Sequence, residues 1–317
     1  MKRCLRILTF LVPSVVLLAA IAASCTRNVE PPADQRGLKV VTTLFPLYDF
    51  TRNIAGGKAH ITLLLPPGVE PHSFEPKPGD MLRVMAADLF IFSGGSMEPW
   101  AAGILKGVEN KELVVVDCSK GVDLAEQEEA SDGDSHGHGH GKIDPHIWLD
   151  LSKAQVMVDN ILEGMVTKDP TNREYYRANA EKYKAKLREM DQEYRRALST
   201  CKKHMFVHGG HFAFGYLARR YNLQYISAYH GSPDAEPTPR RLIELKNVLK
   251  RLQLHYVFYE ELITPRIAEI ISRETGASLL KLHGAHNISR EELEQNLTFL
   301  SIMESNLRSL RTGLECQ

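Results

Sequence analysis

At 317 residues, with 43% hydrophobic and 25% charged side chains, the chain is long enough for one large globular unit or two lobes of ordinary domain size. Its 39 basic and 39 acidic side chains cancel to a formal net charge of zero, so nucleic acid is a poor candidate partner. Of the five cysteines, Cys118, Cys201 and Cys316 show no C-x-x-C spacing; a thiolate metal cluster is disfavoured, and at most one bridge can join two of the three.

Residues 1–24 have the layout of a secretory leader, in which Lys2, Arg3 and Arg6 precede an apolar run from Ile7 to Ala23. The run ends in Ala22-Ala23-Ser24-Cys25, small residues before a cysteine that resemble the bacterial lipoprotein signal, although the usual Leu three places before the cysteine is Ala22 here. Cys25 would then be the acylated first residue, with residues 25–37 as a polar, Pro-containing tether; an uncleaved anchor and a soluble export signal are the alternatives. No second apolar run approaches the roughly 20 residues needed to span a bilayer. A periplasmic or cell-surface protein is expected, monomeric and held to the membrane by lipid on Cys25.

After the tether, strand and helix patterns alternate. Leu38 to Leu44, Ile61 to Leu65, Leu89 to Phe92 and Leu113 to Asp117 are short, mostly apolar runs that suit strands buried on both faces of a parallel sheet. Leu47 to Ala55 and Pro78 to Ala87 can form the crossover helices of a first α/β lobe, residues 38–168. Tyr176, Ala180, Tyr183, Leu187, Met190, Tyr194 and Leu198 then recur at spacings of three and four, one apolar stripe on a long helix. At mid-chain, within 169–201, it suits a strut between lobes, with a surface helix or short coiled coil as alternatives. From 202 to 317 the alternation resumes with strands at His204 to His208, Gln224 to Ala228, Tyr256 to Tyr259 and Ser278 to Leu282. Helices are expected over Arg240 to Arg251, Pro265 to Thr275 and Arg290 to Arg311. The predicted fold is α/β: two parallel-sheet lobes joined by one long helix.

The histidines give this architecture its chemistry. In parallel α/β sheets ligands bind beyond the carboxyl ends of the strands. His72, His211 and His286 each follow a predicted strand, and His146 precedes a helix beginning near Leu151, so each half offers two imidazoles to the cleft between lobes. Any one of them alone is more often a capping or core-edge residue than a ligand. His60, His204, His230 and His255 lack the placement, while His208 and His283 lie close enough to serve as alternatives or to hydrogen-bond a ligating ring. Between Ser131 and Lys142, His136, His138 and His140 alternate with glycines, which suits weak accessory metal binding as well as it suits an ordinary solvated loop.

Four segments carry a resemblance to a known family: Pro71-His72-Ser73-Phe74-Glu75-Pro76, Asp144-Pro145-His146-Ile147-Trp148-Leu149-Asp150 after the His-rich insertion, His211 with Ala213-Phe214-Gly215-Tyr216-Leu217, and Glu236-Pro237 before a helix. From about Leu38 to Leu310 the chain resembles the metal-specific solute-binding lipoproteins of bacterial ABC transporters for zinc and manganese, of the ZnuA-like and TroA-like type. The resemblance implies a single metal between two lobes with little hinge closure, delivered to a permease and its ATPase. It maps three ligands onto His72, His146 and His211. The family's fourth ligand is usually an Asp or Glu after the last strand of the second lobe, where this chain has His286; the expected order is His286, then His283, then a water. A site rich in neutral imidazole suits zinc better than manganese, which prefers oxygen ligands.

Two other classes compete. An exported zinc hydrolase would need an open metal position and a base such as Glu70, Glu75 or Glu260, but no H-E-x-x-H motif is present. A surface adhesin on the same body is not separable from an uptake protein by sequence. The glycines of the His-rich tract give it much to lose on ordering, so its affinity for metal should be modest. Deleting residues 131–141 should leave one tight zinc per protein and abolish only weaker binding; calorimetric titration of both proteins reads this, and unchanged stoichiometry would leave the loop without a metal role.

Overall fold

Parallel pairing of short apolar runs builds each half of the molecule. The computed structural model describes residues 37–127, 143–229, 236–262 and 264–317; Cys25 and His136, His138 and His140 lie outside them. Strands β1 (Leu38–Thr42), β2 (Ala59–Leu63), β3 (Leu89–Phe92) and β4 (Val114–Asp117) form a parallel sheet of order β2-β1-β3-β4. Helices α1 (Phe45–Ala55), α2 (Pro78–Met85) and α3 (Ala101–Gly107) make its crossovers. β3 is buried along its whole length, as a strand covered on both faces must be.

The second half repeats this topology. Strands β5 (Met205–His211), β6 (Gln224–Tyr229), β7 (Tyr256–Tyr259) and β8 (Ser278–Lys281) pair in parallel in the order β6-β5-β7-β8, with helices α6 (Gly215–Arg220) after β5 and α7 (Pro239–Leu252) after β6. In each sheet the chain reverses direction across the sheet beside its first strand, between β1 and β3 and between β5 and β7. Ligands of open α/β sheets bind at such switch points.

Helix α4 (Leu151–Lys168) leads into α5 (Arg173–Leu198), whose 26 residues span about 39 Å at 1.5 Å per residue. The predicted stripe of Tyr176, Ala180, Tyr183, Leu187, Met190, Tyr194 and Leu198 is its buried face. Tyr183 donates its hydroxyl to Asp49 on α1, and Tyr194 donates to the Met303 carbonyl in the second lobe, so one helix is fastened to both. A continuous apolar core runs along it, with Phe50 of the first lobe edge-on to Phe299 of the second at 5.0 Å. The Cys201–Cys316 disulfide ties the end of this helix to the chain terminus, closing a separation of 115 residues. In the loop-closure account that is worth about 4.7 kcal/mol against the unfolded chain, and it requires an oxidising compartment.

Two local expectations are corrected. The helix expected over Arg290–Arg311 is two, α9 (Arg290–Glu294) and α10 (Phe299–Gly313), because Asn296 takes a left-handed φ of 54° and the Thr298 side chain caps a new start by accepting from the Ser301 amide. The strand expected to end at His208 continues through Gly209 and Gly210 to His211, with an irregular register between the two histidines. A Cβ on Gly209 would lie 2.6–2.8 Å from Ala268, which follows β7 on helix α8 (Arg266–Thr275), so that the strand can pass only as glycine.

The lobes are joined beyond the strut. The Asn287 side-chain amide donates to the Pro66 and Val69 carbonyls at 2.8 Å, Gly68 N–H donates to Ile288 O, Phe45 N–H to His286 O, and Trp148 Nε1–H to Gly284 O. Asp49 takes part twice, accepting from Tyr183 and from the Phe299 amide. Asp49→Ala strands both buried donors, at roughly 1–3 kcal/mol each. Urea denaturation should show a stability loss of about 2 kcal/mol or more with an unchanged m-value, and a smaller loss would mean water replaces the carboxylate.

Candidate metal centre

Asp144 and Asp150 shape the segment that presents His146. Asp144 Oδ1 accepts from the His146 amide at 3.1 Å and lies 2.8 Å from its Nδ1, while Asp150 caps α4 by accepting from Ser152 and Lys153 amides. The imidazole is thereby fixed by a local turn, and Trp148, two residues on, anchors the segment to the other lobe. From that lobe, His211 closes β5 beside the switch point. Glu260, the residue after β7, reaches across to it: Oε1 accepts from the His211 amide at 3.0 Å and Oε2 lies 2.5 Å from Nδ1. Gly210 permits the approach, since a Cβ there would collide with Glu260. His72 comes from the loop after β2, where its amide donates to Glu70 Oε1.

These three rings converge. Their ligand nitrogens lie within 4.8 Å of one another, and His146 and His211 are fully buried. Each has its Nδ1 against a carboxylate, which leaves two Nε2 atoms facing each other at 3.3 Å. Lone pairs so opposed repel unless a proton or a cation lies between them. His72 Nε2 is also buried, without a hydrogen-bond partner among the described residues. Tetrahedral zinc with bonds of 2.0–2.1 Å places ligand nitrogens about 3.3 Å apart and imidazole centroids about 5.2 Å apart. The centroid distances are 5.3 Å for His72–His146, 5.3 Å for His72–His211 and 5.2 Å for His146–His211.

His286 completes the ring of imidazoles but stands back from it. Its centroid is 6.4 Å from His72, 6.4 Å from His146 and 6.0 Å from His211, a withdrawal of about 1 Å from the position tetrahedral zinc would set. Its Nε2 lies 3.6 Å from Glu261 Oε1 and 3.9 Å from Glu70 Oε2. His283 does not face the triad; it pairs with Glu261 at 3.1 Å and approaches Glu292 at 3.7 Å. His208 is buried beneath, its Nδ1 accepting from the Gly210 amide and its ring edge-on to Phe214. His255 is a surface residue paired with Glu315.

Burial and the adjoining imidazoles hold His72 and His146 well below the ordinary histidine value, so both rings are neutral and free to ligate. Burial pushes Asp144 up to about 7. Burial also favours a neutral His211, but Glu260 overrides it and holds that ring above its usual value. Sequence reasoning missed Asp144 and Glu261 as partners of the rings. The two-residue spacing of Asp144 and His146 was a usable signal; the approach of Glu261 to His286 across a loop, at 3.6 Å, was not.

A cluster of imidazoles able to hold a cation, set between two parallel-sheet lobes joined by a long helix, is the architecture of a metal-specific solute-binding protein. Residues 40–313 match the family described as ZnuA, zinc-uptake complex component A, periplasmic, and the chain belongs to that family. It is 36% identical over 310 residues to the high-affinity zinc uptake system protein ZnuA of Bacillus subtilis, covering 96% of each chain. The Zn(II)-bound ZnuA-like domain of Streptococcus pneumoniae AdcA superposes with a TM-score of 0.74 at 31% identity, over 88% of this chain and 99% of that one. The laminin-binding protein Lmb of Streptococcus agalactiae, described as bifunctional with adhesin and metal-transporting activity, gives a TM-score of 0.77 at 28% identity, over 88% of this chain and 100% of that one.

His283 generates a pH dependence. Burial favours its neutral ring, yet Glu261 and Glu292 push it up to about 9. A histidine raised in the folded state stabilises fully below its unfolded value near 6.5 and loses that contribution as pH rises through 9. Thermal melts of metal-free protein should therefore fall between pH 6.5 and 9, by an amount of order 3 kcal/mol for this group. His283→Asn should flatten the decline; an unaltered slope would place the titration elsewhere.

Proposed function

We propose that the protein is an extracytoplasmic zinc-binding protein that captures the ion between its lobes and hands it to an ABC permease driven by an ATPase. His72, His146 and His211 are the core ligands, and His286 moves in to supply the fourth. The carrying observation is the meeting of three imidazoles with ligand nitrogens within 4.8 Å of one another and ring centroids 5.2–5.3 Å apart, two of them with Nδ1 against carboxylates, which is the ring spacing that tetrahedral zinc sets. The nitrogen-rich set favours zinc over manganese. A lipid on Cys25 holds the monomer at the membrane.

A hydrolase is disfavoured by the same geometry. Glu260 is engaged with His211 through both oxygens, so it is not free to activate a bound water. Adhesion is a second role compatible with this body, supported by the likeness to the laminin-binding proteins Lmb and Lbp.

Protein purified without added metal should carry one equivalent of zinc by elemental analysis, and manganese should not displace it in direct competition. His211→Ala should abolish tight binding. His286→Ala should weaken it by about tenfold or more while retaining the stoichiometry, and His286→Glu should make affinity less steeply dependent on pH below neutrality, because a carboxylate competes less with protons. Preference for manganese, or tight zinc in His211→Ala, would overturn the assignment.

A further inference from the structure

Each fully buried ligand ring of the triad has its own carboxylate: Asp144 for His146 and Glu260 for His211. A ligating imidazole is ordinarily oriented in this way by the group that accepts its other N–H. His286 occupies the position of the fourth ring, and the residue after Glu260 supplies a third carboxylate. Consecutive residues leaving a strand point to opposite sides, so Glu260 turns to His211 and Glu261 turns to the loop 282–287.

Glu261 is held there from two directions. Its Oε2 accepts from the Gly284 amide at 2.7 Å, and its Oε1 lies 3.1 Å from His283 Nδ1. That same Oε1 is buried, has only the ion pair with His283 and no well-aligned hydrogen bond among the described residues, and stands 3.6 Å from His286 Nε2. Nδ1 of His286 is likewise buried without a hydrogen-bond partner among the described residues. A Cβ on Gly284 would come within 2.8 Å of that nitrogen, so glycine keeps the space beside it clear. An unmade carboxylate–imidazole bond therefore lies next to an unused nitrogen on the one ring that stands back from the triad. A shift of about 0.7 Å would bring Oε1 and Nε2 to ordinary hydrogen-bond length.

We propose that Glu261 is the positioning residue for His286, accepting a proton-bearing nitrogen of the ring as it moves toward the metal and leaving the other nitrogen to ligate. The proposal rests on His286 being the fourth ligand. His283 and the Gly284 amide keep Glu261 from collapsing onto His286 prematurely.

The test is a double-mutant cycle on the full chain, with zinc affinity from chelator competition and coordination from the visible spectrum of the cobalt(II)-substituted protein. Glu261→Ala should weaken zinc by about tenfold to a hundredfold and shift the cobalt spectrum in the same direction as His286→Ala. Glu261→Gln, which keeps an acceptor oxygen and the side-chain shape, should restore part of the loss. In the His286→Ala background, Glu261→Ala should add less than about twofold. An equal loss in both backgrounds would overturn the proposal, since Glu261 would then act on the metal or the fold directly. A wild-type cobalt spectrum in Glu261→Ala would overturn it too. If His286→Ala binds zinc like the wild type, the fourth-ligand assignment itself fails, whatever Glu261 does; melting of each metal-free variant identifies losses due to misfolding.

Discussion

Two imidazole Nε2 atoms held 3.3 Å apart inside a buried interface, where only a proton or a cation can lie between their lone pairs, set the terms for the rest of the molecule. His146 and His211 could avoid the confrontation by turning their rings or changing tautomer, and the structure prevents both. Asp144 and Glu260 hold Nδ1, the strand through Gly209 and Gly210 holds one backbone, and the turn ahead of α4 holds the other. The arrangement is paid for by the core along α5, which keeps the lobes together whether or not the lone pairs are satisfied. Binding a cation then replaces the proton that His211, raised by Glu260, can place between the two nitrogens. Preorganisation of this kind favours tight binding because little is left to order.

The balance of neutral and charged groups follows from burial. His72 and His146 resist protonation chiefly because burial disfavours a charged ring, with the neighbouring imidazoles adding to the effect, which keeps them available to metal at neutral pH. Glu261 shows the opposite outcome. Burial alone would neutralise it, but His283 holds its carboxyl well below the usual carboxylate range. The carboxylates behind the rings therefore include at least one, Glu261, that stays anionic through its pairing with His283.

Much of this was legible in the sequence for a simple reason: strand ends are marked by apolar runs, and ligands sit beyond them. That rule singled out His72, His211 and His286, and the stripe from Tyr176 to Leu198 gave the strut its buried face. The boundaries were harder. Gly209-Gly210 reads locally as a turn, yet the strand continues through it because α8 packs too closely for any side chain. The stretch Gln295–Thr298 carries no proline to announce a break, and the left-handed Asn296 is recognisable only in place. The carboxylates were the least legible part, for Glu260 meets His211 across 49 residues and depends on strand pairing that no local pattern encodes. The absolute setback of His286 was invisible for the same reason.

The bonds that cross between the lobes have a consequence for recognition. Asn287 bridges to Pro66 and Val69, and the neighbouring backbone of His286 accepts from Phe45, so the loop bearing the fourth ring is stitched to the opposite lobe at the site itself. Wide opening and closing would have to break several of these together. A membrane partner that must distinguish a full carrier from an empty one is thus denied a large change of shape. What remains for it to sense is small: the setting of one loop, and the charge of an ion held between the lobes. Such a partner would discriminate by electrostatic contact over short range, and its discrimination would weaken as salt rises.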